Sequence, residues 1–177
     1  MLFLCSLVRE CEEVLQYLDR TQVDSKFNVL LNLIDERKLN NSRTWVYSSY
    51  LTTITFLNSS LSEKYKNIYQ VSSQLEFQKR NRTLERFNSS GGTLIASAHF
   101  LKGLELTLDN IILYDIPESK ELMYLILTRA RNDNTQSNIN AKLNIFVLND
   151  VSKVSLSEQK RMRSFQKFVE ELALEEQ

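Results

Sequence analysis

Two stretches in the second half of the chain, LIASAHFLKGLEL (residues 94–106) and IILYDIPES (residues 111–119), decide the fold class. Each begins with a short apolar run and continues into polar residues that include a glycine or a proline. Short apolar runs bounded by turn residues are typical of strands that are buried on both faces of a parallel sheet. The two stretches therefore predict buried strands that each end in a polar loop.

The rest of the chain alternates between strand-like and helix-like patterns. This alternation predicts an α/β domain with a mainly parallel sheet that is covered by helices on both faces, which is a three-layer architecture. The residues NSSGG at 88–92 predict a turn. Further strands are predicted at 44–47, 67–71 and 143–148, and helices at 4–18, 25–38, 51–61, 74–87, 119–131 and 155–174, with a polar loop at 132–140.

The chain is long enough for one domain with a full-sized core. It has 177 residues, of which 42% are hydrophobic, and only 3 glycines and 1 proline. Because linkers are usually rich in such residues, no boundary between two independent domains is predicted. We expect an N-terminal helical segment, residues 1–41, packed on a main lobe, residues 42–177.

Charge and cysteine content limit the class of partner and compartment. The formal net charge is zero, whereas a small autonomous nucleic-acid binder usually has a basic excess, so any binding to DNA or RNA by the chain alone should be weak. Cys5 and Cys11 would lie on different sides of one helix, which disfavours a disulfide and favours a reducing, intracellular location. The apolar start, MLFL, is too short for a signal peptide or a membrane span, so no membrane partner is expected.

Residues 94–106 resemble motif V of DEAD-box-like superfamily 2 helicases. In that family the motif reads hydrophobic-hydrophobic-Ala-Thr-Asp, three more residues, then Arg-Gly-Leu-Asp-hydrophobic, and this stretch is similar to it without a gap. Ser97 replaces the threonine, Lys102 replaces the arginine, and Gly103 is kept. Ala98 replaces the first aspartate, which is a departure from the pattern.

Other family motifs follow in the expected order, from about residue 42 to the C-terminus. Residues 45–49 resemble motif IV, residues 82–87 resemble the helix that ends in a phenylalanine before a glycine turn, and residues 111–119 resemble the strand and loop V-I-x-Y-D-x-P-x-S. The resemblance implies the second, C-terminal RecA-like lobe of such a helicase. This lobe would contact nucleic acid and close on a first lobe over ATP.

Motif VI is degenerate in this comparison. The superfamily 2 pattern, His/Gln-Arg-x-Gly-Arg-x-x-Arg, keeps only Arg129 in place, with Ile126 and Thr128 at the first arginine and the glycine. Residues 99–105 and 124–131, HFLKGLE and YLILTRAR, instead resemble motifs V and VI of superfamily 1 helicases of the UvrD type. Both comparisons imply the same RecA-like lobe.

The resemblance implies two groups of site residues. Arginine fingers stabilise charge on a transferred phosphoryl group, whereas hydroxyls, lysines and closely approaching glycines contact a phosphate backbone. Purely structural roles are the alternatives to these functional ones. The arginines would then stabilise a helix end, the motif IV serines would cap a helix, His99 would be an ordinary loop residue and Trp45 would be buried in the core. The implied fingers are Arg129 and Arg131, and the implied nucleic-acid contacts are Ser48, Ser49, Ser97, Lys102 and Gly103.

The chain has no Gly-x-x-x-x-Gly-Lys-Ser/Thr loop and no DEAD-type acidic box. Phosphates need a backbone nest with a lysine, and Mg²⁺ needs a carboxylate, and in the family both belong to the first lobe. We therefore expect no cofactor in this chain alone, and ATP with Mg²⁺ only when a first lobe is present. A catalytically silent helicase-like module, acting as a scaffold or weak binder among other protein subunits, is the alternative.

Overall fold

A computed structural model describes residues 25–101, 106–131, 143–148 and 156–174, and it confirms the predicted three-layer α/β class. The five strands of the described part form one sheet in which every neighbouring pair is parallel. Their order across the sheet is β2-β3-β1-β4-β5. The strands are β1 (Arg43–Tyr47), β2 (Ile68–Val71), β3 (Gly92–Ala96), β4 (Asn110–Leu113) and β5 (Asn144–Val147).

Helices cover both faces of this sheet, as expected when all strands are parallel. On one face, a cluster that includes Val46 and Ile112 packs against two helices, α1 (Ser25–Arg37) and α2 (Leu51–Lys64). On the other face, a cluster built around Trp45 packs against three helices. These are α3 (Phe77–Ser90), α4 (Lys120–Arg131) and α5 (Leu156–Leu174).

The central strand β1 shows why the sequence folds this way. Successive strand residues face opposite sides, and here Trp45, Val46 and Tyr47 are all fully buried because both sides are covered. The indole Nε1 of Trp45 donates to the carbonyl of Ala96 at 3.1 Å. The predicted core role of Trp45 is therefore confirmed, and a base-stacking role for it is excluded.

The predicted turn at 88–92 is shorter than expected. Helix α3 continues through Ser90, and only the two glycines leave it. Ser89 stays helical because its Oγ donates to the Glu85 carbonyl at 2.9 Å, which satisfies a group that would otherwise favour a turn. The amide of Gly91 closes the helix by donating to the Phe87 carbonyl at 2.9 Å.

A network of side-chain hydrogen bonds links the starts of β1, β4 and β5 at the amino edge of the sheet. The Nδ2 of Asn110 donates to the hydroxyls of Ser42 and Thr44 at 2.8 and 3.2 Å. Its Oδ1 accepts from the Nδ2 of Asn144 at 3.1 Å. Since buried polar groups are costly when unpaired, this network fixes the strand register at that edge. The predicted helix at 4–18, the loop at 132–140 and both cysteines lie outside the described residues.

Candidate nucleic-acid interface

Three of the residues singled out from the sequence lie at the carboxyl edge of the sheet. Ser48 and Ser49 follow β1, Ser97 follows β3, and Asp115 lies just beyond β4. In the strand order, β3, β1 and β4 are neighbours, so these loops are adjacent. Open α/β sheets bind ligands in the crevice outside the carboxyl ends of their strands, so this edge is the candidate site.

Ser48 is buried, and its hydroxyl already has partners. Its Oγ donates to Oδ2 of Asp115 and accepts from the amide of Tyr50 at 3.2 Å. The other carboxylate oxygen of Asp115 lies 3.8 Å from Nζ of Lys26, and both of these side chains are 18% exposed. Lys26 Nζ also lies 5.0 Å from the centroid of the Tyr114 ring. Ser48 therefore joins the end of β1 to the loop after β4.

Ser49 is half-buried, and its hydroxyl shares a 2.7 Å hydrogen bond with the hydroxyl of Tyr47. Burial raises the pKa of Tyr47 to about 12, an effect partly offset by the Ser49 hydrogen bond and reinforced by the negative charges of Asp115 and Glu118. Tyr47 is consequently a neutral phenol at physiological pH. It can orient Ser49 without adding charge to the edge.

Tyr50 links the same edge to the C-terminal helix. Its side chain is 50% exposed, and its hydroxyl donates to Oε1 of Glu118 at 3.1 Å. The same oxygen lies 3.6 Å from Nη1 of Arg161 in α5. A shallow polar pocket between them is lined by Tyr50, Asp115, Ile116 and Arg161. The edge beyond β4 therefore holds two carboxylates, Asp115 and Glu118, and each has one cationic neighbour, Lys26 and Arg161 respectively.

The motif V and motif VI residues are described only in part. Ser97 is buried, with 6% exposure, whereas Lys102 and Gly103 lie outside the described residues. Arg129 and Arg131 belong to the last turn of α4, and their side chains also lie outside the described part.

Two departures from the superfamily 2 pattern fall on buried positions. Ala98, at the aspartate position of motif V, is 1% exposed. Ile126, at the first arginine position of motif VI, is fully buried in the core. A charged side chain at either place would have to leave water, which is unfavourable without a partner.

Sequence reasoning missed a basic and aromatic surface at the β2–β3 side of the edge. Helix α3 begins there with Phe77, whose side chain is 68% exposed. One turn later, the guanidinium of Arg80 lies 5.3 Å from the centroid of the Phe100 ring, in the loop after β3. The helix predicted at 74–87 begins at Phe77 instead, so this apolar residue lies in a first turn that extends past the core, and the sequence pattern alone did not predict its exposure.

Among the residues that the structure describes, no cluster of histidine, cysteine or carboxylate side chains could hold a metal ion. No helix in the described ranges is both long and apolar enough to span a bilayer.

Comparison with known proteins identifies the domain type. Residues 25–133 match the family model of the helicase conserved C-terminal domain. This range includes β1 to β4 and therefore the loops at the carboxyl edge of these strands. A search of characterised protein sequences gives no significant match.

Solved structures share the fold at low sequence identity. The C-terminal domain of the DEAD-box protein Dbp5 is similar with a TM-score of 0.62 and 18% identity, covering 81% of this chain and 78% of that one. The DEAD-box protein SrmB of E. coli, solved with the regulator RraA, has a TM-score of 0.55 and 18% identity over 70% of this chain and 69% of its own. Domain 2 of the DEAD-box helicase Mss116p, solved with an RNA duplex, has a TM-score of 0.52 and 16% identity; 68% of this chain is covered but only 47% of that chain. These likenesses establish the RecA-like fold.

Proposed function

This chain belongs to the family of helicase conserved C-terminal domains, and from that premise we propose that it works as the second lobe of an ATP-dependent nucleic-acid helicase or translocase. The observation that carries the proposal is the range of the match, residues 25–133, which includes the loops at the carboxyl ends of β1, β3 and β4. In this role the lobe contacts the phosphate backbone at that edge and closes on a first lobe that binds ATP and Mg²⁺.

Within the edge, we propose that Ser49, Ser97, Lys102 and Gly103 contact phosphates directly. Ser48 acts indirectly, because its hydroxyl proton is already donated to Asp115. Beyond β4, the cations Lys26 and Arg161 are already paired with Asp115 and Glu118, so they attract a phosphate less strongly. The nucleic-acid backbone should therefore lie over the ends of β1 and β3 rather than over β4.

Fluorescence anisotropy tests this proposal with labelled single- and double-stranded DNA and RNA at low and moderate salt. We expect weak, salt-sensitive binding, since phosphate contacts release counterions. Lys102→Ala should weaken binding to every sequence and lower the salt slope by about one unit, as expected for the loss of one phosphate contact. Lys66→Ala is the matched control, because Lys66 is exposed next to the start of β2, at the opposite edge of the sheet.

Two results would contradict this assignment of the contacts. Equal losses in Lys102→Ala and Lys66→Ala would indicate nonspecific attraction to any lysine. We call the proposed contacts at Ser49, Ser97, Lys102 and Gly103 the phosphate track. If none of the four nucleic acids binds at low salt, the phosphate track is wrong.

We further propose that Arg129 or Arg131 acts as an arginine finger toward ATP held by a first lobe. Helix positions two apart face different directions, so the two single variants test separate hypotheses. With a first lobe present, loss of the true finger should lower kcat for ATP hydrolysis by about 10³-fold or more. Unchanged hydrolysis in both alanine variants would refute the finger role.

A silent helicase-like module is the second candidate, and the burial of Ala98 and Ile126 favours it. At these positions the domain carries core-compatible apolar residues instead of the charged groups of the family pattern. In this case the lobe would bind nucleic acid or protein subunits as a scaffold. Nucleic-acid affinity that does not change with ATP, even with a first lobe present, would support this candidate and contradict the ATP-dependent one.

A further inference from the structure

We infer that the start of helix α3 forms a stacking site for an unpaired nucleotide, with Phe77 as the platform and Arg80 as its cationic neighbour. The inference rests on the proposed nucleic-acid function and extends it from the phosphate backbone to a base. It also assigns a preference for single strands over duplexes, which backbone contacts alone do not provide.

Phe77 is the first observation. Its side chain is 68% exposed, the largest exposed fraction among the large apolar side chains of the described residues. A single exposed apolar residue is common on protein surfaces and has no meaning by itself. Here, however, the ring lies in the first turn of α3, at the same edge of the sheet as the loops of the candidate interface, and a flat aromatic face is available to a ligand.

The cationic surroundings are the second observation. Helix α3 has four basic residues and one acidic residue, Glu85, so it contributes a charge of +3 (4 − 1) in a chain whose net charge is zero. Three of the basic side chains are exposed at positions i, i+3 and i+7, which places them on one face of the helix. They are Lys79, Arg82 and Arg86. This face is turned away from Phe77, because Lys79 is only two positions along the helix from it, and Nζ of Lys79 also lies 3.6 Å from Oε2 of the flanking Glu76. Arg80, three positions along the helix, is the basic residue on the side of Phe77.

The position of Arg80 ties this surface to the proposed phosphate track. Its guanidinium lies 5.3 Å from the centroid of the Phe100 ring, and its Nη2 donates weakly to the Leu75 carbonyl at 3.4 Å. Phe100 lies in the short helical turn that follows Ser97. A nucleic-acid strand that leaves the end of β3 toward β2 therefore passes Arg80 before it reaches Phe77.

The chemistry of an exposed phenyl ring selects an unpaired base. Aromatic side chains stack on bases whose faces are free, and every base has such a face, so the contact depends little on sequence. In a duplex the base faces are covered by their neighbours, and only the phosphates remain accessible to Arg80. A protein partner with an acidic, apolar segment would meet the same surface, and the test separates it from nucleic acid.

The test measures binding of the full chain to a short single-stranded oligonucleotide and to a blunt duplex of the same length. Phe77→Ala should weaken single-strand binding by about 5- to 150-fold, the range measured for one stacked base, and should leave duplex binding unchanged. Phe56→Ala is the matched control, because Phe56 is 41% exposed on α2, which covers the opposite face of the sheet. Phe77→Trp should retain binding, and its fluorescence should be quenched by the single strand, since the native Trp45 is fully buried.

Each outcome of this test either supports or overturns the stacking site. Selective loss with Phe77→Ala, together with quenching at Trp in Phe77→Trp, supports the stacking site. If binding depends on Lys102 but not on Phe77, the stacking site is wrong while the phosphate track stands. Equal loss for single strand and duplex would make Phe77 a structural residue, and no binding of the native chain to either probe would overturn the track and the stacking site together.

Discussion

Replacing Gly92 is the most direct test of how β2 and β3 pack, because a side chain at this position would collide with its neighbours. It opens β3 with a φ of 118°, a backbone conformation that residues with a Cβ rarely adopt. A Cβ built at this position would lie 2.2 Å from the carbonyl oxygen and 2.7 Å from the Cβ of Asn67. The same carbonyl accepts the amide of Thr93 at 3.0 Å, so it cannot move without breaking the start of the β2–β3 pairing.

The neighbouring Gly91 provides the matched control. Its φ is 67°, but a Cβ there would meet nothing closer than 3.9 Å. Backbone strain at a position of this kind costs about 1–3 kcal/mol, so we expect Gly91→Ala to destabilise the fold by about 2 kcal/mol. Gly92→Ala carries a similar strain, and overpacking against the Asn67 backbone adds about 1–3 kcal/mol, which brings its expected cost to about 4 kcal/mol.

Urea unfolding followed by the fluorescence of Trp45 measures both costs, because this buried residue is the only tryptophan in the chain. With a denaturant slope of about 2 kcal/mol per M, the midpoint should fall by about 1 M in Gly91→Ala and by about 2 M in Gly92→Ala. Equal shifts in the two variants would refute the reasoning, since only Gly92 has a backbone atom in the way.

Three further predictions concern polar groups. Asn110→Ala should cost about 1–3 kcal/mol in the same urea experiment, because it leaves the buried hydroxyls at the amino edge without their donor, and a cost near zero would mean that water replaces it. In an alkaline absorbance titration Tyr47 should ionise last, near its pKa of about 12, and Tyr47→Phe should abolish this last step. Because folding raises this pKa, the contribution of Tyr47 to the free energy of unfolding is complete below pH 10 and is lost as the pH rises toward 12. Hydrogen bonds from Lys64 and Tyr65 lower the pKa of the exposed Asp35, so its small stabilising effect is present at neutral pH and is lost in acid. Lys64→Met should raise the pKa of Asp35 in an NMR titration, and an unchanged pKa would exclude the Lys64–Asp35 ion pair in solution.

The elements were predictable from the sequence where local pattern and tertiary packing agree. Every strand predicted within the described residues is present, and the pattern is clearest in β3 and β4, which are buried along their whole length and carry the apolar runs typical of a parallel strand covered on both faces. The end of α3 was misplaced because Asn88, Ser89 and Ser90 favour turns in isolation, whereas in the fold Ser89 bonds back to its own helix. Local chemistry alone does not tell which of these two uses a serine will have.

The candidate site was only partly predictable. The order of the helicase-like motifs pointed to the serines after β1 and β3, but the sequence could not show that Ser48 donates to Asp115, 67 residues away. That contact depends on β1 and β4 lying side by side, which is a property of the strand order. Likewise, the stacking platform at Phe77 depends on how far the first turn of α3 extends beyond the core.

The two edges of the sheet differ in a way that indicates where a ligand can bind. At the amino edge, polar groups bond to one another: Asn110 joins Ser42 and Thr44, and the amide of Arg43 donates to Asp109 at 2.8 Å. Donors and acceptors that satisfy each other gain little from a ligand, because binding would only exchange one hydrogen bond for another. The carboxyl edge instead presents the half-exposed Tyr50 and the exposed His99, Phe77 and Lys79. Hydrogen bonds also join groups at the carboxyl edge, such as Ser48 to Asp115 and Tyr50 to Glu118, but the exposed side chains there are accessible to a strand of nucleic acid without breaking the fold. We therefore propose that binding belongs to the carboxyl edge and stability to the amino edge.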